Sequence, residues 1–142
     1  MEMIIDGPDN SGKTTFAKRM AEIHGIDYAH MNYDDPRLMN FYFHTMAKSD
    51  IVWDRHFISE YVYAKIFNRP TEINDPELSY LINRAKHLGV TIVICVSEEY
   101  DLSQEGAGIR KNQSMIHNEF IRIAEGFNPE IRWKGEHDGE LS

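Results

Sequence analysis

The pattern of apolar and polar positions predicts strands and helices that alternate along the chain. Short apolar runs predict five strands, at residues 2–6, 28–32, 51–53, 90–96 and 130–134. Apolar residues recurring every three or four positions predict five helices, at residues 13–24, 37–48, 57–67, 75–88 and 112–125. In the first helix, Phe16, Met20 and Ile23 are expected to face the core.

This order of elements predicts an α/β fold with a mainly parallel sheet of about five strands and helices on both faces, in three layers. The 142 residues suit one domain, 1–142, with 135–142 as a frayed tail. The strand at 90–96 is apolar throughout, as expected for a strand covered on both faces, and its Cys95 is expected in the core. Ligands of such sheets bind at the carboxyl ends of the strands.

The segment between the first strand and the first helix reads G-x-x-x-x-G-K-T, from Gly7 to Thr14. Glycines allow a tight loop whose N–H groups surround a polyphosphate, and the following helix adds the positive end of its dipole. Lys13 would reach the β- and γ-phosphates, and the Thr14 hydroxyl would hold Mg²⁺. We therefore predict a P-loop NTPase fold with ATP and Mg²⁺ as cofactors, bound by Gly7, Asp9, Asn10, Ser11, Gly12, Lys13, Thr14 and Thr15.

A second group of polar residues begins where the third strand ends, at Asp54 and Arg55. An acid at this position helps to hold the metal, partly through water, in many phosphate-loop enzymes. Ser59 and Tyr63 follow Arg55 at helical spacing, so all three can line one side of the site. A guanidinium there suits a second phosphate or transition-state charge, although an Asp–Arg pair can also simply cap a helix.

The sequence Asp54-Arg55-His56-x-x-Ser59, with a tyrosine further along the helix, resembles the D-R-(H/Y)-x-x-S motif of the thymidylate kinases and, more distantly, the deoxynucleoside kinases. The stretch from Asp6 to Asp9 is similar to the E-G-x-D-like start of their phosphate loop. Asp35-Pro36 matches the Glu-Pro step that those families carry after the second strand.

This resemblance implies roles for individual residues. Lys13 and Thr14 would bind ATP and Mg²⁺, and Asp9 would lie close to the reacting phosphates. Arg55 would contact the acceptor, with Ser59 and Tyr63 also binding substrate. Asp35 matches the carboxylate that activates the acceptor in nucleoside kinases, a role that needs an acid within hydrogen-bond reach of the attacking oxygen. Asp34 is its rival, and Asp34-Asp35-Pro36 can also be read as a plain turn.

The chain also departs from these families. Between Pro36 and the third strand there is room for one helix only, where thymidylate kinases carry several elements of the base pocket. The arginine-rich lid is reduced to residues 97–112, which offer Arg110 and Lys111. Arg110 is the better candidate for a catalytic arginine over the γ-phosphate, although a basic residue before a helix is often simply solvated.

The charge and composition of the chain limit the cellular locations and the binding partners that we expect for the protein. The formal net charge of −8 argues weakly against a large nucleic-acid footprint. One cysteine permits no internal disulfide, and no apolar run approaches the ~20 residues that span a bilayer. The phosphate loop starts six residues after Met1, which leaves no room for a signal peptide. We expect a cytoplasmic protein with no membrane partner and no metal-binding histidine cluster.

Three functions fit these features. The leading one is an ATP-dependent kinase of a deoxynucleotide, with a deoxynucleoside as a related acceptor. The shortened acceptor region favours a kinase acting on a hydroxyl of DNA or of a modified base in DNA. A non-catalytic ATP-binding regulatory protein is the third. By analogy with thymidylate kinases, two copies could pair as a homodimer.

Overall fold

Strands and helices alternate through most of the chain. The computed structural model describes residues 1–9, 11–31, 38–46, 50–96, 107–127 and 131–135, with the backbone alone at 107–111 and 131–135. The strands are β1 Glu2–Asp6, β2 Asp27–His30, β3 Ile51–Asp54, β4 Thr91–Val96 and β5 Ile131–Gly135. The helices are α1 Lys13–His24, α2 Met39–Thr45, α3 Phe57–Phe67, α4 Asp75–Leu88 and α5 Ala107–Gly126.

The five strands form one sheet in the order β2-β3-β1-β4-β5, and every neighbouring pair is parallel. β1 lies in the middle, with β3 on one side and β4 on the other. Helix α1 packs on one face, where Phe16, Ala17 and Ala21 join a buried cluster with strand residues. Residues of α2, α3, α4 and α5 form a larger cluster on the other face. The predicted three-layer α/β fold is confirmed.

Sequence patterns located the elements well, with small differences at the ends. Strand β1 and helices α1, α3 and α4 have the predicted bounds. Helix α5 begins at Ala107, five residues earlier than expected, so part of the predicted lid is helical. The glycine at 108 suggested a loop, but one glycine inside a helix costs only about 1 kcal/mol.

The inward face of α1 differs from the expected one at its end. Phe16 is buried, but Ile23 is 59% exposed, so the prediction for Ile23 is wrong. The helix stops at Gly25, whose left-handed conformation turns the chain. Ile26, beyond that turn, packs against the α1 cluster instead. Cys95 is buried in the same cluster, as predicted. Among the described residues, no helix is long and apolar enough to cross a membrane.

Candidate active site

The loop between β1 and α1 follows the backbone of β4 closely. Gly7 has a φ of 147°, and a Cβ atom there would lie 2.4 Å from the carbonyl oxygen of Cys95. Ser11 is buried, and its hydroxyl donates to the carbonyl of Pro8 at 2.7 Å. Gly12 adopts a left-handed conformation directly before α1, and a Cβ there would meet no atom within 4 Å. The loop thus contacts β4 at Gly7, whereas the space beside Gly12, at the start of α1, is open.

Lys13 is the buried cation of this loop. Only 6% of its surface is exposed. Its Nζ donates to the Pro8 carbonyl at 3.4 Å and lies 3.6 Å from Asp9 Oδ1. Burial and the nearby Arg55 lower the Lys13 pKa, while the carboxylates of Asp9, Asp6 and Asp54 act in the opposite direction. A buried ammonium with such weak local partners is suited to bind an incoming anion.

Asp54 ends β3 beneath the phosphate loop and is fully buried. Its Oδ2 accepts hydrogen bonds from the Thr14 hydroxyl at 2.7 Å and the Tyr28 hydroxyl at 2.6 Å. Nδ1 of His30 lies 3.2 Å from the same oxygen. The other oxygen, Oδ1, is buried and has no hydrogen-bond partner in the part of the chain that the structure describes.

This donor set fits a magnesium ion. Mg²⁺ prefers oxygen ligands and is usually held by one or two protein groups plus water and phosphate. The Thr14 hydroxyl and the Asp54 carboxylate supply such oxygens, and the orphaned Asp54 Oδ1 lacks a partner that a cation or its water would provide. Elsewhere in the described residues, no group of three or more His, Cys, Asp and Glu side chains could hold a metal.

Sequence reasoning did not identify Tyr28 and His30 as neighbours of Asp54. Both belong to β2, and the parallel register places His30 directly opposite Asp54. Polar residues at the end of β2 were therefore a usable signal, because the carboxyl ends of adjacent parallel strands meet at one edge. The signal needed the strand order, which the sequence alone did not provide.

Arg55 turns back toward the phosphate loop. Its φ is 77°, and its guanidinium forms an ion pair with Asp9 and lies 5.8 Å from the centre of the Tyr63 ring. The side chain is 12% exposed. Burial raises the pKa of the Tyr63 hydroxyl to about 12, so it stays protonated near neutral pH. Lys13, Asp9, Arg55 and Tyr63 thus form one continuous polar group beside the loop.

Other predicted site residues are placed differently. Ser59 is buried and its hydroxyl donates to Asp6, so its contact with substrate stays a prediction. Thr15 lies exposed in the first turn of α1. Asn10, Asp34 and Asp35 lie outside the described residues. The backbone of Arg110 belongs to the start of α5, and its side chain is outside the described part.

His56, beside Arg55, is a buried packing residue. It contacts the rings of Tyr42, Trp53 and Phe57, and its Nε2 lies 2.9 Å from the Thr45 hydroxyl. Burial lowers the pKa of His56 to about 3, so the ring is neutral near pH 7. Because side chains of α2, β3 and α3 surround the ring, we assign His56 to the core and not to proton transfer.

A separate cleft of about 460 Å³ lies at the other end of α3. Its charged side chains are paired with other residues of the cleft lining or with residues outside that lining. Lys65 binds Glu119, and Arg69 binds the buried Glu60. The Tyr61 hydroxyl donates to Asp75 at 2.6 Å. The cleft therefore has no unbalanced charge that would mark it as a phosphate site.

No protein-family model and no curated protein sequence matches this chain. Solved structures do. The YorR protein of Bacillus subtilis, solved in complex with phosphorylated GDP, has a TM-score of 0.76 at 15% identity, covering 96% of this chain and 86% of that one.

Two further similar structures are kinases. Deoxyadenosine kinase from M. mycoides, solved with dCMP and dCDP, has a TM-score of 0.56 at 8% identity, covering 97% of this chain and 92% of that one. Thymidylate kinase from Ehrlichia chaffeensis has a TM-score of 0.52 at 15% identity, covering 99% and 90%. This chain therefore has the three-layer fold of the P-loop kinases of nucleosides and nucleotides.

Proposed function

We propose that the protein is a phosphotransferase that moves the γ-phosphoryl group of ATP, with Mg²⁺, to a deoxynucleotide. The observation that carries this proposal is the pair of cations facing each other across Asp9. Lys13 Nζ lies 3.6 Å from Asp9 Oδ1, and the Arg55 guanidinium contacts the same oxygen. Lys13 follows the phosphate loop and Arg55 lies in the turn between β3 and α3, so two phosphate groups can be held side by side.

The donor side consists of the phosphate loop and the end of β3. Lys13 and the loop N–H groups bind the triphosphate, and the start of α1 adds its dipole. Thr14 and Asp54 would hold Mg²⁺, which neutralises charge on the phosphate oxygens when it is bound. Arg110, near the start of α5, is our candidate for a second arginine over the γ-phosphate.

The acceptor side consists of Arg55 and Tyr63. A guanidinium can bind an acceptor phosphate through two parallel hydrogen bonds. If Arg55 is released from Asp9, two N–H groups of its guanidinium become available to an acceptor phosphate beside the end of the triphosphate. Tyr63 lies against the guanidinium and limits the directions in which it can move.

The transfer itself needs little covalent chemistry from the protein. An acceptor oxygen attacks the γ-phosphorus, the bond from that phosphorus to the β–γ bridging oxygen breaks, and ADP leaves. A phosphate acceptor is already ionised and needs no base. A hydroxyl acceptor would lose its proton to Asp35, with Asp34 as the rival, and for a phosphate acceptor these acids would instead orient the sugar.

One observation favours a second candidate, a hydroxyl of DNA or of a modified base as acceptor. The rings of Tyr63 and Phe67 are parallel within 9°, with centroids 6.2 Å apart, and Phe67 is 49% exposed. This aromatic pair leads along α3 away from Arg55. Unpaired bases stack on such surfaces in proteins that bind single strands. The net charge of −8 opposes an extended nucleic-acid contact, so we rank this candidate second.

The proposal is tested with γ-³²P-ATP, Mg²⁺ and a panel of deoxynucleoside monophosphates, deoxynucleosides, single-stranded DNA and duplex DNA. Label transfer to a monophosphate, lost in a folded Lys13→Ala variant, supports the proposal. Transfer to DNA alone would establish the second candidate. ATP binding without transfer to any acceptor would leave a regulatory ATP-binding protein. A cytoplasmic location and pairing of two copies stay predictions.

A further inference from the structure

The carboxylate of Asp6 connects the phosphate loop to the start of α3. Asp6 is the last residue of β1 and is fully buried. Its Oδ1 accepts the Gly7 N–H at 3.2 Å and the Ser59 hydroxyl. Its Oδ2 accepts the N–H groups of His56 at 3.2 Å and Ser59 at 3.0 Å. The four donors belong to the first residue of the loop, to the residue before α3 and to the first turn of α3.

Asp6 takes the place of a local helix cap. Helix α3 starts at Phe57, and the residue before it, His56, makes no side-chain capping hydrogen bond. Helix starts normally satisfy their free N–H groups with a nearby Ser, Thr, Asp or Asn. Here the cap comes from the neighbourhood of the phosphate loop, about 50 residues earlier in the chain. The position of α3 is therefore coupled to the position of the loop.

Arg55 lies between these two anchored segments. Its N–H donates to the carbonyl of Ile5 at 2.9 Å, and its φ of 77° is in the left-handed region. A non-glycine residue keeps such a conformation only where its surroundings hold it there. The restraint comes from the end of β1. Ile5 accepts the N–H of Arg55, and Asp6, the next residue, binds the N–H groups of His56 and Ser59 that follow Arg55. The same conformation directs the guanidinium back to Asp9.

We propose that Asp6 is a positioning residue for phosphoryl transfer, which fixes Arg55 relative to the phosphate loop. This inference rests on the proposed function, because it assumes that Arg55 binds the acceptor. Transfer requires the reacting groups to be held close together in a fixed geometry, and a shift of about 1 Å can cost about 100-fold in rate. A helix cap alone would explain stability, but it would not require the capping side chain to come from the residue directly before the phosphate loop and to bind the first N–H of that loop.

A carboxylate suits this position better than an amide. It offers two accepting oxygens, whereas an amide offers one and presents donors on the other side. Burial raises the pKa of Asp6, while the Ser59 hydrogen bonds and the charges of Arg55 and Lys13 favour the ionised form. In Asp6→Asn, an NH₂ group replaces one of the two accepting oxygens. It would then point either at the Gly7 N–H and the Ser59 hydroxyl or at the backbone N–H groups of His56 and Ser59, all of which are donors. One of the two connections would then be lost at nearly unchanged volume.

The test compares Asp6→Asn with Glu77→Gln. Glu77 belongs to the capping box of α4, where its side chain accepts the Asn74 N–H at 3.0 Å. It controls for the exchange of a carboxylate for an amide at a helix start outside the catalytic machinery, because a glutamine can still accept the Asn74 N–H. We expect Asp6→Asn to keep the Kd of a non-hydrolysable ATP analogue within threefold, while kcat/KM for the acceptor falls at least tenfold. Glu77→Gln should change neither value by more than twofold.

A double-mutant cycle separates positioning from general damage. In an Arg55→Ala background, Asp6→Asn should lower kcat/KM less than threefold, because there is no guanidinium left to position. Independent effects of the two changes, or loss of ATP-analogue binding equal to the loss of transfer, would overturn the proposal. If Asp6→Asn does not fold, Ser59→Ala, which removes one of the four hydrogen bonds, must show the same dependence on Arg55 at a loss of about threefold to tenfold.

Failure of the proposed phosphotransferase function can be distinguished from failure of the positioning role of Asp6. If the wild type transfers label to no acceptor, the proposed function fails. The geometry of Arg55 is then read from its side-chain Nε–H resonance by NMR, assigned with Arg55→Lys. A shift of that resonance in Asp6→Asn, but not in Glu77→Gln, supports positioning by Asp6, and an unchanged resonance contradicts it.

Discussion

The Thr14 hydroxyl donates a hydrogen bond to Asp54 Oδ2 at 2.7 Å. This contact joins the first turn of α1 to the end of β3, and both groups are oxygens that a magnesium ion accepts as ligands. Asp54 Oδ1, beside this bond, is buried and lacks a hydrogen-bond partner among the described residues. The hydrogen bond therefore holds together the two oxygen-bearing side chains to which our proposal assigns Mg²⁺.

The first prediction follows from this contact. Thr14→Val removes the hydroxyl at almost constant volume, so we expect the Mg²⁺ concentration for half-maximal transfer to rise at least tenfold. Thr14→Ser keeps the hydroxyl and should stay within threefold of the wild type. Titration of activity with Mg²⁺ at saturating ATP measures both. Equal values for the valine and serine variants would show that Thr14 does not contact the metal.

The second prediction concerns Asp9, whose carboxylate contacts both Lys13 and Arg55. A triphosphate must displace this carboxylate, because like charges repel at a few ångströms. In Mg²⁺-free buffer, Asp9→Asn should bind an ATP analogue about threefold to tenfold more tightly, as measured by calorimetry. Asp9→Glu keeps the charge and serves as the control. Weaker binding by Asp9→Asn would mean that Asp9 supports the loop instead.

Much of the fold could be predicted because local signals coincide with the final structure. Asp75-Pro76-Glu77 marks the start of α4, and the structure shows a complete capping box there. The apolar run at 90–96 predicted β4, which pairs with strands on both sides. Such signals depend on residues close in sequence, so they do not require the tertiary structure.

The site was only partly predictable for the opposite reason. The phosphate loop and Asp54 follow from motifs, but the role of Asp6 depends on donors about 50 residues away. Tyr28 meets Asp54 only because β2 pairs with β3. Ser59 has the right spacing to face a ligand, yet its hydroxyl turns to Asp6. Long-range polar contacts of this kind carry no periodic pattern in the sequence.

The third prediction concerns Gly7. A methyl group there would lie 2.4 Å from the Cys95 carbonyl oxygen, in a backbone conformation that side chains rarely adopt. Gly7→Ala should therefore lower the free energy of unfolding by about 2–4 kcal/mol. Gly12→Ala meets no atom within 4 Å and should cost only about 1–2 kcal/mol through its φ of 78°. Urea unfolding measures both, and equal losses would contradict the close approach of the loop to β4.

The fourth prediction concerns the pH dependence of stability. Burial raises the pKa of Glu2, at the start of β1, from 4.5 to about 7, against the opposing effects of Trp53 and the chain's amino group. Because the folded protein holds this proton more tightly than the unfolded chain, the stabilisation is complete below pH 4.5. It is lost as the pH rises to about 7.

Glu2→Gln removes this titration and should make the protein more stable than the wild type at pH 8, by at most about 3 kcal/mol. At pH 4.5 the two proteins should differ by less than about 1 kcal/mol, since Glu2 is then neutral in the folded protein and only about half ionised in the unfolded chain. His56 is unchanged in this comparison, so its own titration cancels. Urea unfolding at both pH values checks the result. A difference that does not grow between pH 4.5 and 8 would show that Glu2 is solvated in the folded protein.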